Sequence, residues 1–315
     1  MKYKVLIPQD ITAPGKDYLK EHGCEIKVLN ECSTKNICDN VSDCDAILAR
    51  TCPYSEEVFA CAKKLKVISR HGVGYDNIDM AAAKKYGVKV CYTPEANSGS
   101  VAEHTMALLL ACAKKIPYMD KLAKNGDWAL RNNIRPMEVS GKTIGIIGYG
   151  RIGKLVAKKA ALGFDMKVLI LRHHPNSGDL PDYVEECFTL GDIFSRSDFL
   201  SLHSPLTKDT EDLVNYDRLK KMKKAAYIIN TARGAEVNED ALYRALTEGL
   251  IAGAALDVFK VEPPEKDNPL LSLDNVIISP HNAALTKESM DRMGLDAAVG
   301  IMEVLNGQTV SWLVE

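Results

Sequence analysis

The stretch TIGIIGYGRIGKLVAKKAALG, residues 143–163, contains the pattern that decides the fold. An apolar run leads directly into Gly148, Gly150 and Gly153, which are spaced as G-x-G-x-x-G, and a helical pattern follows at once. In that context the first glycine permits a tight turn, the second lets the backbone approach a pyrophosphate, and the third lets helix and strand pack closely. The phosphates then lie at the N-terminus of the helix, where the peptide dipoles favour an anion. The stretch therefore predicts a dinucleotide-binding turn.

Short β-branched runs alternate with helical patterns along nearly the whole chain, which predicts an α/β protein with parallel sheets. A first series of strands ends near residue 93, and a long helical pattern at 100–116 separates it from a second series. A last helix is predicted over 286–306. The second series has the number of strands of a complete dinucleotide-binding sheet, with candidates at 143–147, 167–171, 198–203, 226–230, 252–257 and 276–279.

These elements predict two doubly wound parallel-sheet domains. The second series forms a Rossmann cofactor domain of residues 99–285. That domain is inserted into a flavodoxin-like substrate-binding domain, which is made of residues 1–98 and 286–315. The C-terminal helix then returns to the first domain.

The composition disfavours several classes of function. The 315 residues suffice for two domains, and a formal net charge of −2 provides no positive surface for nucleic acid or an anionic membrane. No run approaches the roughly 18 apolar residues that span a bilayer. The opening MKYKVLIP predicts a strand rather than a signal peptide, so we expect a cytoplasmic protein.

The nine cysteines predict no metal site, because none of them forms a C-x-x-C pair. An odd number of cysteines without an export signal is typical of reduced thiols. We therefore expect them to pack as small hydrophobic side chains without a chemical role.

The residue after the second strand of the cofactor domain bears on the choice of dinucleotide. An Asp or Glu about 20 residues beyond the glycines usually binds the ribose 2′-hydroxyl. Arg172 stands at this place, and a cation cannot accept that hydrogen bond but can pair with a 2′-phosphate. The polar residues that could complete a phosphate pocket follow directly: His173, His174, Asn176 and Ser177. We therefore predict that NADP is preferred over NAD. The alternative is an exposed strand-end arginine, with NAD bound less selectively.

Polar side chains follow three later strands of the same series. Arg233 stands in INTARG, Asp257 and Glu262 in ALDVFKVEPP, and His281 in SPHNAA. Because ligands of open parallel sheets bind outside the carboxyl ends of the strands, these distant segments are expected to meet at one site.

This set of side chains suits hydride transfer to a ketone. His281 could supply the proton that the oxygen needs as it becomes an alkoxide, and Glu262 beside it would favour the imidazolium form. Arg233 could bind a substrate carboxylate bidentately and stabilise the negative charge that develops on the oxygen. We expect Asp257 to orient the nicotinamide end of the cofactor.

At these residues the chain resembles the D-isomer-specific 2-hydroxyacid dehydrogenases over nearly its whole length. Within that family it is most similar to short phosphoglycerate dehydrogenases and to hydroxypyruvate and glyoxylate reductases. The motifs that carry the resemblance are SRHGVGYDNID (69–79), NSGSVAEHT (97–105), GYGRIG (148–153), NTARG (230–234), ALDVFKVEPP (255–264) and SPHNAALT (279–286).

The resemblance implies a small 2-oxo or 2-hydroxy acid as substrate, with Arg233, Glu262 and His281 as the catalytic set and His281 as the proton donor. It implies that backbone amides around Val73 and Gly74 hold the substrate carboxylate, in the loop that carries Arg70. It also implies a homodimer, formed through the long helix and the extension around Trp128. The further cofactor contacts that it implies are Arg151, Ile152, Ser204, Thr231, Ala232 and Asp257.

The substrate remains open between two classes. Arg172 favours an NADP(H)-linked reductase of hydroxypyruvate or glyoxylate. The alternative is the NAD-dependent phosphoglycerate dehydrogenase of serine biosynthesis, whose substrate phosphate needs cations that Arg50, Arg70 and Arg131 could supply. Transcriptional corepressors that resemble this family are disfavoured, because they carry a long disordered tail and this chain ends at SWLVE.

Overall fold

The computed structural model of the chain describes residues 3–314. Residues 1, 2 and 315, which the predicted substrate-binding domain includes, lie outside the described residues. The chain divides into two compact units, one of Met1–Ser98 with Ala284–Glu315 and the other of Gly99–Ala283. None of the helices between residues 3 and 314 combines the length and the apolar character that a membrane span requires.

The secondary structure follows the alternation that the sequence predicts. The strands are β1 (Lys4–Ile7), β2 (Glu25–Val28), β3 (Ala46–Ala49), β4 (Val67–Arg70), β5 (Lys89–Cys91), β6 (Thr143–Ile147), β7 (Lys167–Leu171), β8 (Val184–Glu186), β9 (Phe199–Leu202), β10 (Tyr227–Asn230), β11 (Gly253–Leu256) and β12 (Val276–Ile278). The helices are α1 (Ala13–Glu21), α2 (Thr34–Val41), α3 (Glu56–Cys61), α4 (Met80–Lys85), α5 (Ser98–Lys114), α6 (Ile116–Lys124), α7 (Arg151–Phe164), α8 (Leu190–Arg196), α9 (Tyr216–Leu219), α10 (Glu239–Thr247) and α11 (Lys287–Leu305). Short 3₁₀ helices lie at Ala129–Asn132, Gly234–Glu236 and Pro269–Ser272.

The first unit is a parallel sheet in the order β2-β1-β3-β4-β5, which is the flavodoxin-like order. Both faces of this sheet are buried. Leu6 packs in one apolar cluster while Val5 and Ile7 pack in the other, because successive side chains of a strand point to opposite faces. The helix α11 contributes Ile301 to the second cluster, so the C-terminal helix packs within the first unit.

The second unit is a seven-stranded parallel sheet in the order β12-β11-β10-β9-β6-β7-β8. Its order from β8 to β11 is that of a complete dinucleotide-binding sheet, with β12 added at one edge. The prediction of two doubly wound parallel sheets is confirmed. The predicted strand number is too low by one, because β8 is only three residues long and contains two glutamates.

Two further expectations from the sequence need correction. The helix predicted over 100–116 is α5, but it begins at Ser98 and ends at Lys114, because Lys115 adopts the left-handed conformation (φ 54°) and separates α5 from α6. The expectation that all cysteines are reduced is wrong for one pair, since Cys32 and Cys52 form a disulfide with a Cα–Cα distance of 5.9 Å. The remaining cysteines are free thiols, and most of them are buried.

Candidate active site

The glycine turn leaves room for a phosphate group. Gly148 has φ 95°, and a Cβ built on it would lie 2.5 Å from the carbonyl carbon of His203. A Cβ on Gly153 would lie 2.2 Å from the Gly148 oxygen, so this position must remain a glycine for α7 to pack on β6. A Cβ on Gly150 would meet nothing within 4 Å. The first and third glycines therefore allow close packing, and the second borders open space at the start of α7, which fits a dinucleotide pyrophosphate.

The two residues that follow the turn form the first turn of α7. The side chain of Arg151 is exposed, while Ile152 packs against the apolar cluster on one face of the second sheet. Their backbone belongs to the helix end at which the peptide dipoles favour an anion, as the predicted phosphate contacts require.

The guanidinium of Arg172, directly after β7, is paired with a carboxylate of the neighbouring strand. Its Nε lies 2.7 Å from Glu186 Oε1 and its Nη2 lies 2.9 Å from Glu186 Oε2, while Nη1 donates to the Ser177 carbonyl at 2.6 Å. The hydrogen bonds from Arg172 lower the pKa of Glu186 and offset the effect of desolvation. Glu186 on β8 therefore balances the charge of Arg172, and the alternative of an exposed strand-end arginine is wrong, because the side chain of Arg172 is mostly buried.

The two histidines after Arg172 are exposed. The rings of His173 and His174 lie 4.6 Å apart and meet edge to face. The Ser177 hydroxyl donates to the His174 carbonyl at 2.7 Å, so the polar residues of the predicted phosphate pocket form one short loop. Asn176 lies in the same loop with φ 56°, and its amide faces the Glu186 carboxylate at 3.3 and 3.4 Å.

His281 and Glu262 form a close pair. His281 Nδ1 lies 2.6 Å from Glu262 Oε2, and because a carboxylate only accepts, Nδ1 is the donor. The other oxygen of Glu262 accepts the Phe259 amide at 3.0 Å. Burial acts to raise the pKa of Glu262, but the hydrogen bonds from His281 and Phe259 and the charges of His281 and Arg233 lower it below its ordinary value. Glu262 binds Nδ1 and so sets the orientation of the imidazole. The other ring nitrogen, Nε2, is then the atom that can serve a ligand.

Arg233 lies in the turn after β10, and two close contacts hold this turn. The side-chain amide of Asn230 donates through Nδ2 to the Arg233 carbonyl at 2.8 Å and accepts through Oδ1 from the backbone amide of Ala232 at 3.0 Å. A Cβ on Gly234 would lie 1.9 Å from the carbonyl carbon of Phe259, so the turn packs directly on the segment that leads to Glu262. The structure therefore brings Arg233, Glu262 and His281 to the carboxyl edge of one sheet, as the sequence predicts.

Asp257 organises the segment that carries His281. Its carboxylate is 1% exposed and accepts from the Ser279 hydroxyl at 2.6 Å and from the Asn282 and Ala283 amides at 3.0 Å each. Its carbonyl accepts the His281 amide at 2.8 Å. These contacts give Asp257 a structural role that we did not expect from the sequence.

Thr231, Ala232 and Ser204, which the sequence predicts to contact the cofactor, are held by neighbouring segments of the second unit. The Thr231 hydroxyl lies 2.9 Å from the Thr105 hydroxyl on α5, and Ala232 is buried beside it. The Ser204 hydroxyl donates to Glu236, a buried carboxyl to which the sequence assigns no role. His104 was also missed, although it lies in a quoted motif: its Nε2 lies 2.9 Å from the Ser279 hydroxyl that binds Asp257.

The predicted substrate residues Arg50, Arg70, Val73 and Gly74 belong to the first unit. Arg50 follows β3 and donates to the Asp10 carbonyl at 2.7 Å, and Arg70 ends β4 and donates to the carbonyl of the next residue. Between residues 3 and 314, no group accepts a hydrogen bond from the amide of Val73 or of Gly74. Two consecutive amides of this kind can bind a carboxylate.

Comparison with known proteins gives consistent matches. The family model for the D-isomer specific 2-hydroxyacid dehydrogenase, NAD binding domain, matches residues 106–283. The glyoxylate reductase of Thermofilum pendens is 42% identical over 99% of this chain and 94% of that protein. The D-3-phosphoglycerate dehydrogenase of Archaeoglobus fulgidus is 39% identical over 98% of this chain, which spans only 58% of that relative. The structure of an NADPH-dependent glyoxylate/hydroxypyruvate reductase from Sinorhizobium meliloti, in complex with NADP and malonate, matches with a TM-score of 0.87 at 26% identity, covering 100% of this chain and 97% of that chain.

Proposed function

Because the chain belongs to the D-isomer-specific 2-hydroxyacid dehydrogenases, a family of oxidoreductases, we propose that it reduces a small 2-oxo acid such as hydroxypyruvate or glyoxylate. The observation that carries the proposal is the 2.6 Å contact between His281 and Glu262, with Arg233 at the same sheet edge. A proton donor oriented by a carboxylate, next to a guanidinium, is what the reduction of a 2-oxo acid requires.

In this proposal His281 donates the proton that the carbonyl oxygen takes up, and its Nδ1 bond to Glu262 fixes the orientation of the imidazole. Arg233 binds the negatively charged end of the substrate and the oxygen on which charge develops. In the first unit, the consecutive amides of Val73 and Gly74 are proposed as a carboxylate-binding pair. The nicotinamide dinucleotide, when bound, supplies the hydride.

The residues proposed to hold the dinucleotide all belong to the second unit. The open space beside Gly150 supports binding of the pyrophosphate at the start of α7. The turn after β10, with Thr231 and Ala232, supports contacts to the remainder of the cofactor, since it follows a central strand of the same sheet.

We propose NADPH as the preferred cofactor. Arg172 at the end of β7 supports it, as does the match to a reductase that is named NADPH-dependent and solved with NADP. The ion pair with Glu186 limits this preference, because part of the guanidinium is already engaged. A preference of about tenfold corresponds to about 1.4 kcal/mol, the size of a modest charge-assisted contact.

One observation favours a second candidate, NAD-dependent oxidation of 3-phosphoglycerate. The Arg172–Glu186 pair balances the positive charge of the guanidinium, which weakens the attraction that Arg172 offers to a 2′-phosphate. The phosphoglycerate dehydrogenase of Archaeoglobus fulgidus is also 39% identical to the chain. Arg50 and Arg70 of the first unit are the cations proposed to bind the substrate phosphate in that case.

The deciding experiment is kcat/KM for NADPH and for NADH with hydroxypyruvate, alongside 3-phosphoglycerate oxidation with NAD. We expect kcat/KM for the reduction of hydroxypyruvate to be higher with NADPH than with NADH, and the oxidation of 3-phosphoglycerate with NAD to be weak. Efficient oxidation of 3-phosphoglycerate with NAD, and weak reduction of hydroxypyruvate, would replace the first proposal with the second. Tight binding of a dinucleotide without turnover of any 2-oxo acid would contradict both.

We also propose a homodimer, on the basis of family membership and of exposed apolar side chains in the second unit. Trp128 is 69% exposed and Ile116, at the start of α6, is 55% exposed. Burial of these two side chains against a second copy of the chain would remove apolar surface from water. Sedimentation equilibrium of the chain and of Trp128→Ser tests this: we expect a dimer that the substitution weakens, and a wild-type monomer contradicts it.

A further inference from the structure

Glu236 is a buried carboxyl next to Arg233 in the turn after β10. It ends the 3₁₀ helix Gly234–Glu236, three residues after Arg233, and it is 0% exposed. Its backbone is fixed on both sides: the amide donates to the Arg233 carbonyl at 3.2 Å, and the carbonyl accepts the Val214 amide at 2.8 Å. Charged side chains are rarely buried completely unless they are paired, so this carboxyl needs an explanation.

The side chain of Glu236 contacts two segments of the candidate active site. One oxygen, Oε1, accepts the hydroxyl of Ser204 in the segment after β9. A hydrogen bond from the Arg233 amide also favours its ionised form, as does the Arg233 charge. The other oxygen, Oε2, is buried and has no hydrogen-bond partner among the described residues.

Ser204 connects this carboxyl to the glycine turn. The Ser204 amide nitrogen lies 2.6 Å from the position that a Cβ on Gly148 would occupy, so the segment after β9 packs directly on the first glycine. Glu236 therefore bonds at one end to the turn that carries Arg233 and at the other to the segment that supports the glycine turn.

We propose that Glu236 is a positioning residue, which holds Arg233 and Ser204 in a fixed relation. It thereby couples binding of the substrate anion at Arg233 to the conformation of the glycine turn. This inference rests on the proposed reductase function. It adds a residue that touches neither substrate nor cofactor and acts through Arg233 and Ser204.

The electrostatics of the site support this assignment. Burial raises the pKa of Glu236 to about 7, against the opposing effects of Ser204 and Arg233. The titratable neighbours on adjoining segments are His203, beside Ser204, and Asp212, whose amide donates to Ala235. Burial lowers the pKa of His203 to about 3, so this imidazole stays neutral in the same range.

The sign of the pH effect follows from this arrangement. Below about pH 7 Glu236 is neutral, and Arg233 presents its full charge to the substrate anion. Above that pH Glu236 is ionised, and its negative charge beside Arg233 weakens the attraction for a carboxylate. The KM for a 2-oxo acid is therefore expected to rise as the pH passes through the neutral range.

The test compares Glu236→Gln, Glu236→Leu and Ser204→Ala with the wild-type chain, using hydroxypyruvate at saturating NADPH. Glu248→Gln serves as the control, because Glu248 is an exposed glutamate of the same unit that pairs with Arg244. Between about pH 6 and about pH 8 we expect the wild-type KM to rise about three- to fivefold more than that of Glu236→Gln. Glu236→Gln retains an acceptor oxygen for Ser204, so its kcat is expected to stay close to that of the wild type.

The other two variants separate positioning from simple burial. Ser204→Ala removes a bond that favours the ionised carboxylate, so the inflection of KM is expected at a higher pH. Glu236→Leu fills the space without an acceptor, so KM is expected to be raised at every pH, with a smaller change in kcat. If Glu236→Leu does not fold, the KM profiles of Glu236→Gln and Ser204→Ala still decide whether Glu236 is a positioning residue.

The outcomes distinguish this inference from the proposed function. A wild-type chain that reduces no 2-oxo acid contradicts the function. An active wild-type chain whose KM profile is unchanged in Glu236→Gln and in Ser204→Ala leaves the function intact and overturns the positioning role.

Discussion

Arg172 and Glu186 form a bidentate ion pair across the edge of the second sheet, with distances of 2.7 Å and 2.9 Å between their nitrogen and oxygen atoms. The pair joins the end of β7 to the last residue of β8, and both side chains are mostly buried, at 12% and 9% exposure. A fork-to-fork pair of this kind fixes the guanidinium plane and balances its charge. Cofactor choice in this chain is therefore expected to depend on two residues.

Glu186→Gln should increase the preference for NADPH, because it removes the negative charge that competes with a 2′-phosphate for Arg172. We expect the ratio of kcat/KM for NADPH to that for NADH to rise by up to about tenfold, which is about 1.4 kcal/mol. Arg172→Asp should shift the ratio toward NADH. Glu185→Gln is the matched control, since Glu185 is the adjacent, exposed residue of the same strand and pairs with Arg196. An unchanged ratio in both Glu186→Gln and Arg172→Asp would contradict a role for this pair.

His281→Ala should abolish most of the turnover while the dinucleotide still binds. General acid catalysis by a positioned side chain contributes about 10²–10⁴-fold, so kcat is expected to fall by that order. The dissociation constant for NADPH, measured by fluorescence titration, should stay within about twofold, since the glycine turn is untouched. Glu262→Gln should cause a smaller loss, because the amide oxygen can still accept the bond from Nδ1 and keep the imidazole oriented. Wild-type turnover in His281→Ala would refute the proton-donor role.

Asp257→Asn should destabilise the fold as well as reduce activity. The substitution replaces one carboxylate oxygen by an NH₂ group, which then faces either the Ala283 amide or the pair of the Ser279 hydroxyl and the Asn282 amide. A buried donor without an acceptor costs about 1–3 kcal/mol, which thermal unfolding detects. Ser279→Ala removes the hydroxyl that bonds both Asp257 and His104, but it places no donor against another donor, and should cost about 1–2 kcal/mol. Normal stability of Asp257→Asn together with weak nicotinamide binding would instead assign this residue to the cofactor.

Glu236→Gln should be more stable than the wild-type chain at alkaline pH. The folded-state pKa of about 7 lies above the ordinary value of 4.5, so the native state binds the proton more tightly than the unfolded chain does. The wild-type free energy of unfolding therefore decreases as the pH rises through this window, by an amount on the order of 3 kcal/mol. The glutamine has no proton to lose. Urea unfolding at acidic and at alkaline pH should therefore show that the two proteins differ less in free energy of unfolding at low pH than at high pH. An equal pH dependence in both proteins would mean that Glu236 does not titrate in this range.

Local patterns were sufficient to predict most of the fold and the sheet edge at which the proposed catalytic residues lie. The glycines at 148, 150 and 153 have roles that depend on backbone geometry and steric limits, which are properties of a short segment. The predicted proximity of Arg233, Glu262 and His281 needed only one general property of parallel sheets, namely that their carboxyl ends share an edge. These inferences required no knowledge of which strand pairs with which.

The tertiary structure decided the partners of the polar side chains. Glu186 lies 14 residues from Arg172, on a strand too short and too charged to give a periodic pattern. Ser204 and Glu236 are 32 residues apart, and His104 and Ser279 are 175 residues apart. Hydropathy and spacing register only near neighbours along the chain, whereas a hydrogen bond or an ion pair depends on distances that exist after the strands have paired. For that physical reason the sequence by itself determined every strand of the sheets except β8 and indicated which polar side chains follow strands at one sheet edge, and only the folded chain determined which of these charges are balanced.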